Sequence, residues 1–89
     1  MYVEVEKGSY MIELSDIQAT IINEVAGYTA SDPKSIRSTD DIAKDIGVCG
    51  DDFMELAAYL GERYGVHHSI FAGARTIEEW SKAVYDAIT

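Results

Sequence analysis

Eighty-nine residues leave room for one compact core and exclude an inserted catalytic domain. With 47% apolar and 26% charged residues the composition is globular, far from the polar, highly charged profile of disorder. Seven basic against 16 acidic side chains give a formal net charge of −9, which opposes binding to nucleic acid or to an anionic membrane surface.

The chain opens on Tyr2-Val3-Glu4-Val5-Glu6, which alternates in polarity, and Lys7-Gly8 can turn it into a second extended stretch from Ser9 to Glu13. Residues 1–14 therefore read as a small hairpin, a flexible arm, or a leader to a domain that starts near Met11. From Ser15 the period becomes helical, with Ile17, Ile21, Ile22 and Val25 on one stripe. Ser15 with Gln18 forms a capping-box pattern, and Gly27 supplies a stop. Tyr28 to Lys44 reads as a long loop, with Ser31 or Asp32 capping a short turn at Pro33 and Ile36 and Ile42 pinning the loop to the core. Thr39 or Asp40 starts one more helical turn that closes at Gly47.

A second helix is expected from Asp51, with Phe53, Leu56, Ala57, Leu60 and Tyr64 on its inner stripe and Gly65 at its end. Ile70 and Phe71 mark a short helical turn. The last helix starts at Thr76, which forms a capping box with Glu79, and buries Ile77, Trp80, Val84 and Ile88. Three main helices and short pieces over residues 15–89 imply an all-α bundle. No apolar run approaches the roughly 20 residues of a membrane span, and the acidic start lacks the order of a signal peptide. The expectation is a cytoplasmic protein.

The residues Thr39-Asp40-Asp41-Ile42-Ala43-Lys44-Asp45-Ile46-Gly47-Val48-Cys49-Gly50-Asp51-Asp52-Phe53-Met54-Glu55-Leu56 resemble the heart of the acyl carrier proteins. In that family an aliphatic anchor in the first loop precedes an acidic-leucine-glycine turn, then Asp-Ser-Leu, then a helix carrying Glu-Leu. Ile36, Ile42, Asp45-Ile46-Gly47 and Glu55-Leu56 fall at the family spacing. Leu60, Arg63-Tyr64-Gly65-Val66 and Arg75-Thr76-Ile77 continue the match, which runs from about Ser15 to Ile88. The resemblance implies the family's four-helix bundle of three main helices and a short one, and 4'-phosphopantetheine as the expected cofactor. At the attachment position, however, Cys49-Gly50-Asp51 replaces Asp-Ser-Leu. Gly50 has no hydroxyl to form the phosphodiester, so no cofactor is expected. Gly-Asp-Asp is also similar to bacterial carrier-protein-like domains of unassigned function that lack the serine.

The resemblance makes Asp51, Asp52, Met54, Glu55 and Glu62 the candidate partner-binding residues, facing a protein with a basic docking surface. Acids at a helix start also satisfy its macrodipole, and Met54 equally suits a half-buried flank. Asp51 stands where the family has an apolar residue that contacts partners. Cys49, the single cysteine, excludes an internal disulfide; near a helix start it is a conceivable thioester nucleophile, but it reads as a buried small residue. Cys49, His67 and His68 do not form a zinc motif, and adjacent histidines are expected to point apart on the surface. Trp80 reads as core. Tyr59 and Tyr64 fall on or beside the inner side of the second helix, leaving Tyr2, Tyr10 and Tyr28 as surface tyrosines. Asp40-Asp41 and Asp51-Asp52 are adjacent and do not converge as an acid/base pair. With no catalytic constellation, the chain reads as a non-enzymatic, monomeric, protein-binding variant of the carrier fold. The alternatives are a carrier modified at another residue, a glycine standing for a serine of the native gene, and a small acidic inhibitor or immunity-type protein.

Overall fold

The computed structural model describes residues 12–89; of the N-terminal hairpin or arm expected over residues 1–14, residues 1–11 lie outside them, and Leu14 already belongs to the first helix. Helix α1 spans Leu14–Thr29, α2 Asp51–Tyr64 and α3 Ile77–Ile88. A 3-10 turn at Pro33–Ser35 and a π-type turn at Ile42–Ile46 lie in the long loop before α2, and a 3-10 turn at His68–Phe71 lies between α2 and α3. Among the described residues there is no strand beyond one isolated bridge, Asp41 to Thr76. No helix among them is long and apolar enough to cross a membrane.

Each long helix buries the stripe its sequence carries. Ile17, Ile21 and Val25 of α1, Leu56 and Leu60 of α2, and Ile77, Trp80 and Val84 of α3 are wholly inaccessible to solvent. Phe53, Tyr64 and Ile88 complete the stripes as half-buried neighbours. Trp80 organises the centre: Phe71 stacks on it at 4.2 Å between ring centroids, and Phe53 meets it edge-on at 5.1 Å. Its indole N–H donates to the Ala74 carbonyl at 3.0 Å, so the ring is buried without an unpaired donor. Buried Ser81 is satisfied in the same way, donating to the Ile77 carbonyl at 2.7 Å.

The loop from Ser31 to Cys49 is long, yet it is fastened at both levels. Ile36 and Ile42 sink into the core. Asp32 caps the Pro33 turn through the N–H of Lys34. Asp41 caps the π-type turn with one carboxylate oxygen, which accepts from Ala43 and Lys44 N–H, both at 2.9 Å. Asp45 returns the favour at the N–H of Asp41 at 2.8 Å. The main chain then docks on the start of α3, with Ile42 N–H donating to the Arg75 carbonyl at 2.8 Å and Ile77 N–H to the Asp40 carbonyl at 3.1 Å. Thr76 closes this junction with the full reciprocal box to Glu79, a cap worth about 1 kcal/mol in general.

Six expectations are corrected. Helix α1 starts two residues earlier than a Ser15 cap implies: Glu13 is the N-cap residue, its carbonyl accepting from Asp16 and Ile17, and no side chain caps the helix. Gly27 does not stop α1, which runs to Thr29 and ends at Ala30 in a left-handed conformation, with the Ala30 and Ser31 N–H groups both returning to the Ala26 carbonyl. The turn before Gly47 starts from Asp41 rather than Thr39 or Asp40, because Asp41 is the residue whose side chain reaches two free N–H groups. His67 and His68 do not point apart: the chain bends between the extended His67 and the first residue of the 3-10 turn, and their rings stack at 4.3 Å. Tyr59 is 39% exposed and belongs to the outer side of α2. Cys49 is exposed rather than buried.

Candidate acidic docking face and attachment position

Gly50 is the N-cap of α2, at φ 64° and ψ −134°. This is a mirror-image extended conformation that glycine adopts readily and that L side chains rarely do. A Cβ built there would meet nothing within 4 Å, so the constraint on position 50 lies in the backbone and not in space. No side chain caps α2. Position 50 therefore offers neither a side-chain hydroxyl nor the backbone geometry in which a serine ordinarily caps a helix.

Beyond Gly50, Asp51, Glu55, Ala58 and Glu62 follow one another at helical spacing and are all exposed, forming a single outer ridge of α2. Asp52 is exposed to one side of it and Met54, 60% accessible, to the other. The five expected partner-binding residues are thus all presented on the surface of one helix, three of them in register. Next to Met54 an apolar recess of about 170 Å3 runs between α2 and the His68–Phe71 turn, lined chiefly by Phe53, Met54, Ala57 and Phe71. On the opposite flank an open, shallow cleft of about 300 Å3 lies between α1 and α2, lined by Glu24, Gly27, Tyr28 and Tyr59.

Glu55 ties the ridge to that cleft. Its Oε1 accepts from the Tyr28 hydroxyl at 3.4 Å. Burial first, and then the negative charge and hydrogen bond of Glu55 with Asp52 and Glu24 behind it, push the Tyr28 phenol above its ordinary value. At the outer edge the Arg63 guanidinium donates to the Tyr59 hydroxyl at 3.1 Å. Tyr59, Gly27 and Glu24 have no place in a reading of the sequence that ends α1 at Gly27 and turns Tyr59 inward. The signal that finds them is spacing: Glu24, Gly27 and Tyr28 at i, i+3 and i+4 share one face of α1.

His67 and Asp41 serve the local structure. His67 Nδ1 accepts the Ser69 N–H at 3.1 Å and lies 2.8 Å from the Ser69 hydroxyl, a local cap of the 3-10 turn. Asp41 accepts from Arg75 Nε at 3.3 Å in addition to its two backbone donors. Among the described residues, no group of three or more His, Cys, Asp or Glu side chains is placed to hold a metal ion. No family model, curated protein or solved structure matches this chain.

Proposed function

We propose that the chain is an acyl-carrier-protein-like module that has given up covalent acyl carriage and acts by binding a protein with a basic surface through the acidic ridge of α2. The observation that carries the reading is Gly50. It stands at the N-cap of the helix where the resembled family attaches its pantetheine arm, it supplies no hydroxyl, and its backbone conformation disfavours the serine that would restore one. The exposure of Asp51, Asp52, Met54, Glu55 and Glu62 supports docking, because charge displayed on one helix steers a basic partner and fixes its register. In this reading the protein is not an enzyme and holds no cofactor.

The intact mass of the protein purified from its native source tests the proposal. The expected mass is that of the bare polypeptide. A species carrying pantetheine would overturn the reading, and peptide mapping would then identify the modified residue, with exposed Cys49 the first to check. The net charge of −9 also favours a second reading as a small acidic inhibitor of a basic enzyme, separated from the first by the partner: a nuclease or toxin rather than an acyl-transferring enzyme.

A further inference from the structure

The cleft between α1 and α2 has features that the packing of the bundle does not require. Gly27 lies inside α1, two residues before its end, and a Cβ there would meet nothing within 4 Å. Glycine is a poor helix former. Here it is not excused by a close neighbour or by a left-handed backbone, yet it forms part of the cleft lining, where a side chain would take up room. The other lining residues are two tyrosines and a carboxylate, with the Glu55 carboxylate on the Tyr28 hydroxyl. Phenol faces next to carboxylates attract cations, and a guanidinium suits them best because it is planar, stacks on aromatic rings and pairs with a carboxylate through two N–H groups. The Tyr59 hydroxyl already accepts from one guanidinium, that of Arg63, which is not among the lining residues.

We propose that the cleft between Tyr28 and Tyr59 receives an arginine side chain of the basic protein that docks on the ridge of α2. Gly27 leaves the space, the rings give the stacking surface, and Glu24 and Glu55 supply the countercharge. This inference rests on the docking reading and adds the anchoring residue of the partner.

Amide NMR of the full chain, titrated at low salt with a capped tetra-arginine peptide and with a capped tetra-lysine peptide, tests it. The arginine peptide is expected to shift the amides of Glu24, Gly27, Tyr28 and Tyr59 and to bind at least threefold more tightly than the lysine peptide. Gly27→Ala is expected to raise the thermal midpoint while weakening the arginine peptide at least threefold, a combination that damage to the fold does not produce. Tyr59→Ala should weaken the arginine peptide and leave the lysine peptide unchanged. Equal affinity of the two peptides, or unchanged arginine affinity in Gly27→Ala, would overturn the cleft proposal. If that equal binding is abolished by Asp51→Asn with Asp52→Asn, the docking reading stands without it. Absence of binding by either peptide overturns both.

Discussion

A side chain at position 61 would place its Cβ 2.7 Å from the Val66 carbonyl oxygen, so the chain leaving α2 can fold back over the helix only because Gly61 has none. The contact is reciprocal: the Gly61 carbonyl accepts the N–H of Val66 at 2.8 Å as well as that of Gly65. The turn that carries His67 to Phe71 onto Trp80 depends on this approach. Gly61→Ala should therefore cost about 1–3 kcal/mol despite alanine's better helix propensity. Such a loss corresponds to at least about 4 °C in thermal midpoint for a domain of this size. Circular-dichroism melts check it, and an unchanged midpoint would mean that Val66 can move freely.

Gly27 is the opposite case within the same fold. It stands in open space in α1. Alanine there should stabilise the domain by up to about 1 kcal/mol through helix propensity alone. Ala30, at φ 54°, holds a left-handed conformation that costs an L-residue about 1–2 kcal/mol, so Ala30→Gly should also raise the melting midpoint. A fall in midpoint for either variant would contradict the described end of α1.

Trp80 is the largest of the fully buried side chains and contacts both Phe53 and Phe71. Its truncation to alanine should remove about 3–5 kcal/mol, a large share of what a domain this small commands. Its fluorescence should be poorly quenched by acrylamide until the chain unfolds. Ready quenching in native buffer would place the indole at the surface and refute the packing.

Acid should weaken the junction between the loop and α3. Asp41 is held below the ordinary carboxylate value, chiefly by the N–H of Lys44 and also by Arg75 and Ala43, and Glu79 chiefly by the N–H groups of Arg75 and Thr76. A carboxylate whose value is depressed on folding contributes stability that is complete above its unfolded value of about 4 and is lost as the pH falls through the folded value. Denaturation midpoints should thus be insensitive to these two groups near neutrality and decline below about pH 4. The double variant Asp41→Asn, Glu79→Gln should be less stable at pH 7 and flatter on the acid side. Equal acid sensitivity of the two proteins would remove the junction from the account.

The parts of the fold legible in the sequence are those fixed by local chemistry. Helix α3 could be read from Thr76 and Glu79 because the box is complete within four residues, and α2 from its stripe and from Gly65. Asp32, Pro33, Ile36 and Ile42 likewise announce a fastened loop. What the sequence conceals depends on the path of the chain elsewhere. Gly27 looks like a stop because nothing local shows that the helix continues to Thr29, and Gly61 looks like an ordinary helix residue until Val66 returns above it. Tyr59 turns outward because Leu56, Ala57 and Leu60 already fill the inner side of α2. At the candidate site the glycine at position 50 is visible in the sequence, whereas its mirror-image backbone is not.

That backbone makes Gly50→Ser a destabilising change. Serine at φ 64° and ψ −134° carries strain of about 1–3 kcal/mol, offset by only a few tenths from better capping. The thermal midpoint of Gly50→Ser should fall, whereas an ordinary extended backbone at position 50 would make serine there neutral or stabilising.

The most direct test of the account is the intact mass of the wild type and of Gly50→Ser after incubation with coenzyme A and a broad-specificity phosphopantetheinyl transferase. The wild type should keep its mass, and Gly50→Ser should gain the arm once its backbone relaxes. Addition to the wild type would contradict the proposed loss of carriage, and a Gly50→Ser variant that takes no arm would contradict the proposed relationship to carrier proteins.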